Sequence, residues 1–189
     1  MKDYLKRSAI FLAIGLLIYI TLYCAAEFII SKYAQRNKFY NIKTASSLSY
    51  DYVILGASHA LPFGFEDMNE QLEKFTGSKI INLSIPGGGI VPNQLLLEYF
   101  LVKHNTKNVL YVLDSFVFYS RKWNEDRISD AKLFHRAPAD PVLANLLLSY
   151  GFSREVSLLV AVDYISGFSK INNPDRFKLD ISSDELKKF

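Results

Sequence analysis

The sequence predicts an α/β domain, three-layer α/β/α with a parallel sheet, preceded by one transmembrane helix. Three observations predict it. Residues Ala9 to Ile30 form a 22-residue run with one charge, Glu27. Three short apolar runs further on each end in a turn signal, and two helix-type segments separate them. Strand, helix, strand, helix, strand at this spacing is the pattern of parallel strands covered on both faces and joined by right-handed crossovers.

As a helix the apolar run spans roughly 33 Å, enough for a hydrocarbon core. It exceeds the roughly 7–15-residue apolar centre of a cleaved signal peptide, and bulky Tyr23 before Cys24 argues against a lipoprotein signal. An uncleaved membrane anchor over residues 1–30 is the expectation. Lys2, Lys6 and Arg7 precede the run while Lys32, Arg36, Lys38 and Lys43 follow it, so charge alone does not orient it. Residues 31–50, polar and rich in Ser, Asn and Lys, read as a juxtamembrane linker. The domain is expected over 51–189.

Tyr52–Leu55 reads as a short buried strand ended by Gly56. Asp67–Phe75 has an Asp start, apolar Met68, Leu72 and Phe75, and Gly77 as a stop, which predicts a helix. Lys79–Ile85 is a second strand, broken by Pro86-Gly87-Gly88-Gly89. Asn93–His104 is a helix after Pro92, and Val109–Asp114 a third buried strand. Tyr119–Pro141 reads as a long loop with at most one helical turn. Pro141–Phe168 is helical with a break near Gly151, and Ser153-Arg154-Glu155 divides it into pieces too short to span a bilayer. The polar tail from Lys170 resembles a helix cut off mid-course, so the domain reads as incomplete at its C-terminus.

The net charge is +3, with basic residues scattered, which predicts no nucleic-acid partner. The single cysteine, Cys24, lies inside the apolar run and excludes an intrachain disulfide and a cysteine metal cluster. No pair of histidines has metal-ligand spacing, and there is neither a Gly-x-Gly-x-x-G nor a P-loop lysine. No cofactor or metal is expected.

Parallel strands place their C-terminal ends on one edge, where ligands of open α/β sheets bind. That edge carries Gly56-Ala57-Ser58-His59, the triple-glycine turn and Asp114-Ser115. Ser58 has two readings: a nucleophile at a strand tip, or a turn and helix-cap residue. The N–H groups of Ser58 and of a glycine in Gly87–Gly89 can converge on one oxygen. His59 adjoins Ser58, and adjacent side chains diverge, so a direct Ser–His bond is awkward. His59 can instead bind substrate or cap the helix that follows. Asp114 either orients a base or contacts a sugar, or it caps the next segment through its carboxylate. The aromatics of Ser115–Trp123 can stack on a sugar ring or fill the core. His104 ends a helix, and His135 sits in the weakly patterned region, from which it can fold over the edge.

The segments YVILGASHA, IINLSIPGGGI and NVLYVLDSF, in that order, resemble the N-terminal part of membrane-anchored SGNH/GDSL-type hydrolases. The likeness is to the divergent branch found with bacterial envelope and polysaccharide-modification systems, and it covers about Tyr50 to Phe118. It implies an SGNH/flavodoxin-like sheet, Ser58 as nucleophile and Gly88 as an oxyanion N–H donor; His59 and Asp114 remain substrate-binding candidates on the residue reading alone. It implies a serine esterase or acyltransferase acting on O-acyl groups of an extracytoplasmic glycan or envelope polymer, on the outer side of a cell membrane, with envelope-biosynthesis proteins as partners. Two departures stand out. The Gly-x-Asn expected after the third strand is replaced by Leu113-Asp114-Ser115-Phe116, and nothing in the spacing of Asn124 fits it to that role. No Asp has a His three residues on, so the Asp-x-x-His that would supply the base is absent. The esterase is therefore expected to be inactive as this chain, its His–Asp pair coming from beyond residue 189. The alternative expectation is a non-catalytic, membrane-anchored binding or assembly subunit.

Overall fold

The computed structural model describes residues 1–33, 37–65, 67–130, 137–166 and 170–171. His135 and the tail beyond residue 171 lie outside the described residues. The chain is mostly helical, with a small open sheet of three parallel strands in the order β2-β1-β3. The strands are β1 (Ser49–Gly56), β2 (Ile80–Asn82) and β3 (Asn105–Val112). Tyr52 of β1 is in register with Ile80 of β2 and Asn108 of β3.

Helix α1 (Lys2–Tyr33) is one uninterrupted helix that contains the whole apolar run and is long and apolar enough to cross a membrane. The segment expected to be a linker contains α2 (Lys38–Thr44), capped by the Asn37 side chain, with Phe39, Tyr40 and Ile42 buried. Seven residues are too few for a legible helical period, and burial against the next elements holds this helix.

One core lies between the sheet and α4 (Ile90–Lys103). There Val53, Leu55, Leu83 and Ile85 meet Leu95, Leu96, Tyr99 and Phe100. Alternation along β1 sends Ile54 to the other face. It packs there with Ile80, Ala60 and Leu72 of α3 (Met68–Thr76). Cover over β3 is thin: Val109 and Leu110, on opposite faces of the strand, are each about half exposed, where two-sided burial was expected. The regular part of β2 is shorter than Lys79–Ile85 because Asn82 turns its side chain onto Ser84. The chain still tracks β1, with the Leu83 N–H donating to Ile54 O and the Ile85 N–H to Gly56 O.

The expected loop after residue 119 contains α5 (Arg121–Asp130). It has no apolar stripe to announce it. Asn124 ties it down, accepting the Ile90 N–H at 2.8 Å and donating to the carbonyls of Val117, Tyr119 and Ser120. Helices α6 (Pro141–Ser149) and α7 (Arg154–Ile165) flank the expected break at Gly151. Asp140 caps α6 through the Val142 N–H and takes bonds from Tyr99 and Lys103. Burial opposes its charge, but these donors hold its carboxyl below the usual range.

Gly56 is the tightest point of the sheet edge. Its φ is +149°, and a Cβ there would stand 2.9 Å from both Ala60 Cβ and the Val112 carbonyl oxygen. Gly56→Ala is expected to destabilise the fold by about 3 kcal/mol, from strain plus overpacking against backbone. Denaturant unfolding followed by the single tryptophan, Trp123, measures it, and an unchanged midpoint would refute the close approach.

Candidate active site

The strand order brings the three expected loops to one rim. Gly56 ends β1, and its N–H donates to Asn93 Oδ1 at 3.1 Å, while Asn93 Nδ2 donates to Gly89 O at 2.8 Å. One buried side chain in the first turn of α4 therefore couples the end of β1 to the glycine turn. Asn82 plays the matching part on the other side, donating to Ala60 O at 2.8 Å inside the 3-10 helix Ser58–Gly64. Both asparagines escaped the sequence reading. The signal was present as two amides in otherwise apolar segments, since a buried polar side chain must find partners.

Ser58 opens the 3-10 helix and is exposed. Among the described residues its hydroxyl has no hydrogen-bond partner, and no Ser58–His59 bond forms. His59 instead turns to Asp114, 55 residues away in the chain: its Nδ1–H donates to Asp114 Oδ1 at 2.5 Å. This bond assigns the proton to Nδ1 and leaves Nε2, in the neutral ring, as an acceptor open to solvent. The His59 side chain is 74% exposed and that of Asp114 12%. The second carboxylate oxygen of Asp114 is buried and has no hydrogen-bond partner among the described residues.

Two expectations change on this geometry. Asp114 stands at the N-terminus of the 3-10 helix Ser115–Phe118 but makes no side-chain cap bond, so the capping role is not realised. The Gly88 N–H donates to Ile85 O at 3.1 Å and closes the turn, so it is engaged within the loop instead of aimed at Ser58. Gly87 supplies the left-handed residue of this turn, with φ +63°. Asn124 is committed to the α4–α5 junction, a place that nothing in its sequence spacing indicated. His104 is 7% exposed, with both ring nitrogens on carbonyl oxygens of Ser47 and Ile42, a structural clasp at the end of α4.

Two further features lie near the rim elements. Lys38 of α2 donates to Asn82 O at 3.1 Å, and burial pulls its amine down to about 8. A cavity of about 450 Å³ opens beside the first turns of α4, lined by Gln94, Glu98, Arg121, Glu125 and Tyr150 among others. Glu125 is almost fully buried. Burial opposes its charge, but Arg121 and the Ser153 N–H hold its carboxyl below the usual range. None of Ser58, His59 or Asp114 lines this cavity.

Among the described residues, no group of three or more His, Cys, Asp or Glu side chains is placed to hold a metal ion. A scan against protein-family models, a search of curated proteins and a search of solved structures each return no match to this chain.

Proposed function

We propose that the rim is an acyl-ester site of a membrane-tethered serine esterase or acyltransferase. In this reading Ser58 attacks the acyl carbonyl. His59, oriented by Asp114, takes the proton through a water bridging Ser58 Oγ and His59 Nε2. The bridging water answers the divergence of adjacent side chains and asks only that both groups face solvent on the same rim. The observation that carries the proposal is the 2.5 Å bond from His59 to Asp114 beside an exposed serine at the end of a parallel strand. It offers a base where the sequence lacks an Asp-x-x-His. The SGNH-like three-layer architecture belongs to the same proposal, as does an extracytoplasmic glycan or envelope polymer as substrate. The polar cavity beside α4, with Gln94, Glu98, Arg121 and Tyr150, suits a sugar better than an acyl chain.

The full chain in detergent should hydrolyse p-nitrophenyl acetate, and Ser58→Ala should lower the rate by at least about 10²-fold. Equal rates for Ser58→Ala and the unmodified chain would refute the nucleophile. The engaged Gly88 N–H favours a second reading, a binding or assembly subunit on the same anchor. That reading expects no turnover above buffer and retention of acetylated glycan by the chain.

A further inference from the structure

The apolar stretch of α1 is bounded by Arg7 and Glu27, and the 19 residues between them cover about 28 Å, close to the thickness of a hydrocarbon core. Glu27 is also where the rest of the chain takes hold of the helix. Tyr40, Lys43, Lys170 and the Ala139 N–H all donate to its carboxylate. On the Arg7 side of Glu27 the helix is exposed along its apolar window. It nevertheless shares a groove of about 270 Å³ with one residue of α7, formed by Tyr19, Ile20, Tyr23 and Tyr164.

Tyr164 fixes the depth of α7. Its hydroxyl accepts from the Asp140 N–H at 3.0 Å and donates to Pro138 O at 3.1 Å, on either side of Ala139, whose N–H reaches Glu27. From that level its ring reaches the groove with Tyr23 and Tyr19, which lie about 6 and 12 Å further toward the middle of the span. The last turn of α7 thus enters the depth of the apolar run. Two residues before Tyr164, Val162 is 66% exposed, and Leu158, one turn earlier on the same face, is 61% exposed. Aliphatic side chains at this depth meet the boundary between headgroups and acyl chains.

We propose that α7 is a second membrane contact. Its Leu158–Val162 face lies in the lipid boundary, and Tyr19, Tyr23 and Tyr164 form the aromatic belt between it and the anchor. The occupant of this face is the bilayer itself. The proposal rests on the reading of α1 as a membrane span. It goes beyond that reading by setting the tilt of the domain, since a helix lying on the surface and a helix crossing it fix two directions.

The test uses the full chain, one copy per phosphatidylcholine nanodisc, in a Trp123→Phe background that removes the native tryptophan. Single tryptophans are introduced by Ile14→Trp in the middle of the span, Val162→Trp, and Phe75→Trp on α3 across the sheet, where Phe75 is 90% exposed. Fluorescence is compared with and without lipids brominated near the headgroup end or deep in the acyl chain. The expected result is strong quenching of Ile14→Trp by the deep label and quenching of Val162→Trp by the shallow label. Phe75→Trp should be unaffected. If Ile14→Trp is quenched and Val162→Trp behaves like Phe75→Trp, the contact of α7 is overturned while the anchor stands. If neither Ile14→Trp nor Val162→Trp is quenched, the anchor itself is refuted and the contact with it.

Discussion

Asp114→Asn is expected to lower ester hydrolysis by about 10²–10⁴-fold, almost entirely in kcat. The carboxylate accepts the Nδ1–H of His59 at 2.5 Å and so keeps the lone pair of Nε2 on the solvent side. An amide in its place can present N–H to the ring. That favours the other tautomer, with the proton on Nε2, where it cannot receive one from Ser58. KM should stay within about threefold, because the substitution keeps the shape of the rim and changes only the proton's place on the His59 ring. The substitution is nearly isosteric, so the unfolding midpoint should hardly move, which separates a positioning role from a structural one. Hydrolysis of p-nitrophenyl acetate across pH 5–9 is the measurement. Turnover equal to that of the unmodified chain would remove Asp114 from the proposed mechanism and leave its bond to His59 as a loop contact.

Glu27→Gln should release the domain from α1. The Glu27 carboxylate is reached by Tyr40 Oη at 2.5 Å, Lys170 Nζ at 2.6 Å and Lys43 Nζ at 2.8 Å, and the Lys170 side chain is only 2% exposed. Lys170 also donates to Ala137 O at 2.6 Å, so it draws the segment after α5 into the same cluster. Burial lowers the Lys170 amine, and the Glu27 charge offsets part of that effect. Removing one partner of a buried pair leaves the other charge uncompensated, at a cost of about 3–5 kcal/mol. Backbone amides of 137–150 and 157–166 should exchange with deuterium far faster in Glu27→Gln, while those of β1 and α4 stay protected. Adding Lys170→Met should restore part of the protection, since it removes the orphaned charge. Unchanged exchange in the single variant would refute the clamp.

How much of this was legible beforehand depends on where each element draws its stability. The three strands and α3 and α4 are written in apolar or amphipathic runs, with Gly56 closing β1, Gly77 closing α3 and Pro86 following β2. The structure places them over those runs, although β3 starts at Asn105 instead of Val109. Among the described side chains of α5, Asn124, Glu125 and Ile128 are buried, and two of those three are polar. Its helix depends on Asn124 meeting the Ile90 N–H, a contact that spans 34 residues and leaves no local period. For α2 the reason is similar. Phe39, Tyr40 and Ile42 look like scattered apolar residues in a polar stretch until α1 and α4 are present to bury them.

The candidate site divides along the same line. Ser58, His59, Gly88 and Asp114 could be named from the ends of three apolar runs, because strand polarity alone carries those ends to one edge. Which of them touch was open. The sequence by itself determined an apolar helix of membrane-spanning length and a parallel sheet with its loops on a common rim, since both follow from local hydrophobicity and turn chemistry. Only the tertiary structure decided that Asp114 turns to His59 instead of capping its own helix, and that the Gly88 N–H closes its own turn. A side-chain hydrogen bond is settled by a few tenths of an ångström between groups that the fold, and no nearby residue, brings within reach.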